Sequence, residues 1–278
     1  MHFSETDTRS LLDQIERYYD AVPRSSARAE DFGPLTLFVP TAGSWPFYGR
    51  PALAWQGPAA TAGDVRRVRE RQRELGLPET FEWVDENAPG LRAAVEAAGL
   101  TVHAHPLMAL DPGAPTPPSD PSVRLLAADA PELASALAVP RVAFAEPGTA
   151  VGTAGAAELA AFTAVVERDG TVDRVAARIR AGLTVTAAAL AADGSARCSG
   201  MHQPADGVTE VVGVGTLPDA RRRGLALAVT ASLVADARAR GAGTVFLSAG
   251  DEDVARVYAR AGFRRVATAL IAEPAESA

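Results

Sequence analysis

The fold of this chain is decided by residues 211–226, which read VVGVGTLPDARRRGLA. The apolar run at 211–216 is typical of a buried strand, which ends at Pro218 because proline cannot continue a strand ladder. Residues 225–240 then carry apolar side chains at helical spacing. The order of strand, basic turn, glycine and helix predicts a site for a polyphosphate.

The physical chemistry of a helix start supports this prediction. The first N–H groups of a helix have no backbone partner and lie at the positive end of the helix dipole, so they bind phosphate readily. Gly224 and the small Ala226 let a ligand approach the main chain closely. The three consecutive arginines, Arg221, Arg222 and Arg223, add positive charge.

A second pattern lies downstream, where residues 255–263 read ARVYARAGF. With both patterns in this order, the sequence resembles the GNAT superfamily, the acetyl-CoA-dependent N-acyltransferases. The superfamily signature Arg/Gln-x-x-Gly-x-Gly/Ala is matched at residues 221–226. Its second signature, roughly Ala-x-x-apolar-Tyr-x-x-x-Gly-Phe, is matched with one shift, since Val257 stands directly before Tyr258.

The resemblance implies an α/β (α+β) GNAT fold, in which a mixed, mostly antiparallel central sheet is flanked by helices, and acetyl-CoA as cosubstrate. The pantetheine arm would pair with the main chain of the strand at 214–216, as peptides do at open sheet edges. The N–H groups of residues 222–227 would hold the pyrophosphate. The predicted cofactor-binding residues are Val214, Gly215, Thr216, Arg221, Arg222, Arg223, Gly224, Leu225, Ala226 and Leu227.

Two glycines in the predicted cofactor strand have two interpretations. Gly213 and Gly215 suit the bulge that would open the strand to a ligand. They would equally suit tight packing against a neighbouring element, and the sequence leaves both interpretations open.

The resemblance also assigns catalytic roles. Tyr258 matches the tyrosine that protonates the departing coenzyme A sulfur. Glu210, at the start of the cofactor strand, matches a glutamate that several members use as general base, directly or through water. His202, on the neighbouring predicted hairpin, is an alternative base. Glu252 departs from the pattern, because many members have a cofactor-contacting asparagine there.

The N-terminal half repeats the pattern in diverged form. When Gly99 is aligned with Gly262, the strand and helix before each glycine also align, which indicates two copies of one fold. In this alignment Val95 takes the place of Tyr258, and the loop at 57–63 lacks the arginine and glycine signature. The first copy is therefore predicted to have lost its cofactor site.

A proline-rich segment at 113–121 is the predicted linker between the copies. We therefore expect a degenerate GNAT-like domain over residues 1–112 and an acetyl-CoA-binding catalytic domain over residues 122–278. Within the first domain the sequence predicts a strand at 52–55 and a helix capped by Asp64.

Composition narrows the classes of partner. The chain has 278 residues and a formal net charge of −7, and all its basic residues are arginine. No large basic face is evident, which argues against a nucleic-acid partner. No apolar run is long enough to span a bilayer, so we expect no membrane partner.

The cysteine and histidine content of the chain gives expectations about its compartment and about metal binding. The lone Cys198 cannot form an internal disulfide, and the start of the chain lacks the pattern of a secretion signal, which predicts a cytoplasmic protein. Cys198 is expected to be a small core residue. Four scattered histidines and one cysteine predict no metal site.

The sequence thus predicts an N-acetyltransferase that moves an acetyl group from acetyl-CoA directly to a primary amine of a small-molecule or peptide acceptor. The alternative is a non-catalytic module that binds coenzyme A or a small ligand on the same scaffold. Hydrolysis of an acyl-CoA is a third candidate. Glu252 favours the module and Tyr258 favours the enzyme, while the acceptor and the oligomeric state are not indicated.

Overall fold

The computed structural model describes residues 5–41, 47–115 and 120–275. Residues 116–119 of the predicted linker lie outside the described residues. By compactness the chain divides into unit 1, formed by Met1–Leu107 and Val266–Ala278, and unit 2, formed by Met108–Arg265. Unit 1 thus includes the last residues of the chain, which the sequence does not indicate.

Helices and strands are mixed along the chain, with runs of up to three strands or three helices. The first half contains α1 (Glu5–Arg24), β1 (Ala27–Asp31), β2 (Leu35–Pro40), β3 (Gly49–Pro51), α2 (Ala62–Glu74), β4 (Phe81–Val84), α3 (Leu91–Ala97) and β5 (Leu100–Leu110). The second half contains β6 (Val123–Leu126), α4 (Leu133–Ala145), α5 (Ala156–Arg168), α6 (Thr171–Arg180), β7 (Val185–Leu190), β8 (Ala196–Ala205), β9 (Val208–Thr216), α7 (Leu225–Ala239), β10 (Thr244–Ser248), α8 (Glu252–Ala259) and β11 (Phe263–Pro274). Across the described parts of the chain, no helix has both the length and the apolar character that a membrane span requires.

In unit 1 the strands lie in the order β1-β2-β3-β4-β11-β5. β3 and β4 are parallel and are joined by α2, whereas β1 with β2, β2 with β3, and β4 with β11 are antiparallel. The apolar core includes Leu35 of β2, Val68 of α2, Trp83 of β4, Val95 of α3 and Leu270 of β11, all nearly or fully buried.

The structure corrects two local predictions in unit 1. The predicted strand at 52–55 is wrong, because β3 ends at Pro51 and Ala54 has a φ of 58°, which belongs to a turn. Asp64 is not the cap of α2. Thr61 is the N-cap, and its hydroxyl accepts from the Asp64 N–H at 3.3 Å while the Asp64 carboxylate accepts from the Thr61 N–H at 2.8 Å. This capping box leaves an acidic side chain at the start of α2.

In unit 2 the strands lie in the order β10-β9-β8-β7-β6. β9 and β10 are parallel and are joined by α7, and the other pairs are antiparallel. Each unit therefore contains a parallel pair of strands joined by a helix. The expected mixed, mostly antiparallel sheet flanked by helices is confirmed.

A buried histidine connects three elements of unit 2. His202 of β8 is fully buried, and its Nδ1 lies 2.9 Å from Oγ1 of Thr209 on β9. Its Nε2 lies 2.9 Å from Oδ2 of Asp236 on α7, which also accepts from Arg240. Burial lowers the pKa of His202 and outweighs the opposing effect of Asp236. The ring is therefore neutral, with Nε2–H donating to the carboxylate, since a carboxylate can only accept.

We predict that His202→Asn weakens the dependence of stability on pH. The unfolded chain binds a proton at this histidine near pH 6.5, whereas the folded chain binds it at lower pH because the pKa is lowered. The stability that the neutral ring contributes is therefore present above pH 6.5 and is lost as the pH falls through the folded pKa.

Chemical denaturation at about pH 7.5 and about pH 5.5 measures the effect. The variant should lose about 1–3 kcal/mol of unfolding free energy at the higher pH, because Asp236 and Thr209 lose their partner. It should also lose less stability than wild type on acidification. The exposed His103 provides the control through His103→Asn, and equal pH slopes in wild type and His202→Asn would contradict the prediction.

Candidate active site

β9 carries a bulge in the predicted cofactor strand. Against β8, Ser199 lies opposite Gly215 and Met201 lies opposite Val212, so two residues of β9 face one residue of β8. Gly213 lies in the bulge with a φ of 62°, a left-handed conformation that glycine adopts without steric cost. The bulge expected at Gly213 is confirmed.

Gly215 serves the packing of a helix. A Cβ built there would lie 3.0 Å from the Cβ of Ala143 and 3.1 Å from the Cα of Pro140, both on α4. Tight packing, which the sequence left open for both glycines, is therefore the reason for glycine at this position. Helix α4 consequently lies directly against the strand that carries Val214 and Thr216.

β9 is paired with β10 over part of its length. Within the described residues, the parallel register joins Val208 to Thr244 and Glu210 to Phe246, and it does not extend to residues 211–216. A strand edge without a ladder partner can pair with an extended ligand. This geometry fits the expectation that a pantetheine arm pairs with residues 214–216.

The turn between β9 and α7 exposes main-chain N–H groups. After a short 3₁₀ turn at Pro218–Ala220, Arg222 has a φ of 65° and Gly224 a φ of 81°. Such left-handed residues in a turn direct successive N–H groups into one concavity that binds anions. Gly224 is the N-cap of α7, and no side chain caps the helix there. A Cβ on Gly224 would meet no atom within 4 Å, so the space beside it is open.

The guanidinium of Arg221 is used within the protein. Arg221 is buried, and it donates to the carbonyls of Ala143 and Ala150, each at 3.0 Å, and to the carbonyl of Glu146. Its side chain therefore holds the end of α4 and the following loop.

Arg222 and Arg223 are exposed. Arg223 makes a long hydrogen bond of 3.4 Å to the carbonyl of Asp219. These two side chains, rather than Arg221, supply the positive charge beside the start of α7.

Tyr258 lies on α8 and belongs to the same apolar cluster as the start of α7. It is 7% exposed, and its ring meets that of Phe263 edge-on with 6.1 Å between centroids. The cluster also contains Cys198, and Val214 and residues 225–227 pack against it. The fold thus brings the predicted acid together with predicted cofactor-binding residues.

Burial controls the protonation of this cluster. Burial, together with the electrostatic influence of Cys198, raises the pKa of Tyr258, so the phenol stays protonated at neutral pH. Burial raises the pKa of the Cys198 thiol to about 12, although a hydrogen bond from the Thr216 hydroxyl opposes this shift. Cys198 is fully buried, which confirms the prediction of a core residue.

The two candidate bases differ in accessibility. Glu210 is the third residue of β9, half-buried, and lies opposite Gln203 of β8 and Phe246 of β10. His202 is fully buried with both ring nitrogens hydrogen-bonded. A base must reach the proton that it takes, so His202 is excluded as the general base. The role of Glu210 as the general base stays a prediction.

The start of α8 departs from the superfamily pattern in a defined way. The Asp251 carboxylate accepts from the Val254 N–H at 2.7 Å and so caps the helix. Glu252 is exposed, and its carboxylate lies 2.8 Å from the guanidinium of Arg265. Glu252 therefore has a partner of its own where many members have an asparagine that contacts the cofactor.

The bond between Thr216 and Cys198 was missed by the sequence reasoning, although a signal existed. The two-residue turn at Asp206 and Gly207 sets the register of β8 against β9, and the bulge at Gly213 shifts it by one residue. Together they place Thr216 opposite Cys198. No sequence pattern indicated the acceptors of the Arg221 side chain, because they lie at the end of α4 and in the loop after it.

Among the residues that the structure describes, no three His, Cys, Asp or Glu side chains are placed to hold a metal ion.

Comparison with known proteins relates this geometry to a family. Residues 189–271, which run from the end of β7 into β11 and include both sequence signatures, match the family model of FR47-like proteins. A search of curated proteins finds no match to the chain.

Solved structures share the fold over nearly the whole chain. A GCN5-related N-acetyltransferase from Kribbella flavida is 24% identical and superposes with a TM-score of 0.68, covering 96% of each chain. A GCN5-related N-acetyltransferase from Sphaerobacter thermophilus is 18% identical with a TM-score of 0.51, covering 88% of this chain and 83% of its own. A tandem GNAT protein from the clavulanic acid biosynthesis pathway is 17% identical with a TM-score of 0.50, covering 88% and 79%.

These findings confirm the resemblance drawn from the sequence. The match at residues 189–271 covers the segment with the bulged strand, the uncapped helix and Tyr258, and the structural matches extend the fold to both units. The chain has the GNAT fold in tandem form, and its residues 189–271 are similar to the FR47-like family.

Proposed function

We propose that the chain is an N-acetyltransferase that moves an acetyl group from acetyl-CoA to a primary amine by direct transfer. One observation carries the proposal. The start of α7 has no side-chain cap, follows a bulged strand, and shares an apolar cluster with Tyr258. Neighbours of the same fold named as GCN5-related N-acetyltransferases support acyl transfer at the level of the superfamily.

Main-chain groups would hold the cosubstrate. The N–H groups of residues 222–227 would bind the pyrophosphate, because they lie in a left-handed turn and at a helix start without a cap. Arg222 and Arg223 would add charge from the solvent side. The strand edge at 214–216 would pair with the pantetheine arm and so place the thioester near Tyr258.

Acetyl transfer then needs two proton movements. The amine attacks the thioester carbonyl carbon, the new C–N bond forms and the C–S bond breaks. Glu210, directly or through a water, would take the proton that the amine loses, and Tyr258 would give its proton to the departing sulfur. Holding amine and thioester together also lowers the entropic part of the barrier.

The raised pKa of Tyr258 suits this role in a buried site. A phenol with a raised pKa keeps its proton at neutral pH and gives it up only to a strong base, such as a desolvated thiolate. Burial raises the pKa of the neighbouring Cys198 thiol to about 12, and a thiolate that departs in the same surroundings would be similarly desolvated. It would therefore be a much stronger base than a thiolate in water.

A non-catalytic module that binds coenzyme A or a small ligand is the second candidate. The observation in its favour is the Glu252–Arg265 pair, which stands where many members contact the cofactor through an asparagine. Tyr258 in its buried cluster favours the enzyme. The acceptor is proposed to be a small-molecule or peptide amine, in the cytoplasm, with neither nucleic acid nor membrane as partner.

Thiol release from acetyl-CoA over a panel of primary amines tests the proposal. The panel should contain amino acids, polyamines, aminoglycosides and peptide N-termini. Release that depends on one amine class supports the enzyme. Binding of acetyl-CoA without release from any amine favours the module, and release without an amine would indicate hydrolysis.

We predict that Ala226→Pro weakens acetyl-CoA binding about 10- to 100-fold. Ala226 is the second residue of α7, and proline removes an N–H there without breaking a helical hydrogen bond. Loss of one hydrogen bond to a charged group costs about 1.5–3 kcal/mol. Calorimetry measures the affinity.

Ala157→Pro is the matched control, because Ala157 is the exposed second residue of α5. It should bind acetyl-CoA as wild type does. Equal affinity in Ala226→Pro and Ala157→Pro would contradict the placement of the pyrophosphate.

We predict that Tyr258→Phe retains acetyl-CoA binding and lowers kcat about 10²- to 10⁴-fold, the usual contribution of a general acid. The phenylalanine keeps the ring in its apolar cluster and removes only the hydroxyl. Tyr18→Phe is the control, since Tyr18 is also buried but lies in unit 1. If kcat falls equally in both variants, or in neither, Tyr258 is not the acid.

A further inference from the structure

The loop between α4 and α5, residues 146–155, is bonded to the turn that leads into α7. The Gly152 N–H donates to the Pro218 carbonyl at 3.0 Å, and the Asp219 N–H donates to the Ala154 carbonyl at 3.1 Å. The loop donates one of these bonds and accepts the other, and together they join it to residues 217–221. We call these residues the phosphate turn, because the proposed pyrophosphate site follows them directly.

Two glycines show how closely the loop packs. A Cβ on Gly155 would overlap Oδ2 of Asp219, in the phosphate turn, and a Cβ on Gly152 would overlap Oε1 of Glu146. A real Cβ would require these carboxylates to move. The Asp219 and Glu146 side chains therefore lie directly against these two glycines of the loop.

Arg221 adds a third and stronger link. Its guanidinium donates to the carbonyls of Ala143, Glu146 and Ala150. The last carbonyls of a helix have no helical partner, so Arg221 satisfies the end of α4 and the loop together. Ala143 also packs against Gly215 of the cofactor strand. One arginine thus fixes the loop, the end of α4 and, through Ala143, the strand.

We propose that Arg221 is a positioning residue that couples cofactor binding to the α4–α5 loop. A pyrophosphate held by residues 222–227 fixes the phosphate turn, and the turn fixes the loop through Arg221 and the two main-chain bonds. Cofactor binding therefore orders a loop whose own main chain need not touch the cofactor. The inference rests on the proposed function, because it needs a ligand at the start of α7.

Hydrogen exchange of the full chain, with coenzyme A as the probe, tests the coupling. In wild type, coenzyme A should slow exchange at residues 222–227 and, at least tenfold, at residues 146–155. Protection at 222–227 alone overturns the coupling and leaves the proposed function standing. No protection in either segment overturns both.

Variants separate coupling from a general structural role. Arg221→Leu should keep the protection at 222–227 and lose it at 146–155, whereas Arg221→Lys, which retains a cationic donor, should restore part of it. Arg178→Leu is the control, because Arg178 also donates to a main-chain carbonyl, that of Leu183. Ligand-dependent protection of the loop that persists in Arg221→Leu would overturn the proposal.

A second variant covers the case in which Arg221→Leu does not fold. Gly152→Pro removes the N–H that donates to Pro218 and leaves the Arg221 side chain unchanged. Gly152→Ala, which adds the same Cβ beside the Glu146 carboxylate but keeps the N–H, is its control. Gly152→Pro should reduce the ligand-dependent protection of residues 146–155 at least tenfold while residues 222–227 stay protected. Full protection of the loop in this variant would contradict the link between the loop and the phosphate turn.

Discussion

The first N–H groups of α7 have no side-chain cap, and the proposed site depends on that condition. Gly224 precedes the helix in a left-handed conformation, so the donors stay available to an anion. Helix α2 joins the corresponding parallel strands of unit 1, but Thr61 and Asp64 form a capping box at its start. That box uses donors and places a carboxylate where a phosphate would lie. The two helices thus have the same place in the topology, but the start of α2 carries a carboxylate and the start of α7 has no side-chain cap.

The rest of unit 2 places other groups around this helix start. The bulge at Gly213 and the short pairing with β10 leave the end of β9 with an open edge. Gly215 lets α4 pack against that strand, and Tyr258 belongs to the apolar cluster against which the first turn of α7 packs. Burial keeps the phenol protonated, as its proposed role as the acid toward a departing thiolate requires.

Much of this arrangement could be predicted from the sequence, because it depends on local rules. A glycine that must adopt a positive φ, a proline that ends a strand and a tyrosine at helical spacing can be recognised one at a time. The Gly213 bulge and the buried Cys198 were therefore predicted correctly. The prediction of a strand at 52–55 failed because β3 already ends at Pro51 and Ala54 has the positive φ of a turn. The contacts of His202 and Arg221 depend on distant segments, namely the Asp236 side chain for His202, and main-chain carbonyls at the end of α4 and in the following loop for Arg221. No local pattern encodes them.

The stoichiometry of acetyl-CoA binding to the full chain tests the central claim most directly. Calorimetric titration should give one site per chain, because the start of α7 is open to an anion and the start of α2 is closed by its own side chains. No binding would contradict the proposed site in unit 2. Two equivalent sites would contradict the physical difference between the two helix starts, on which the account depends.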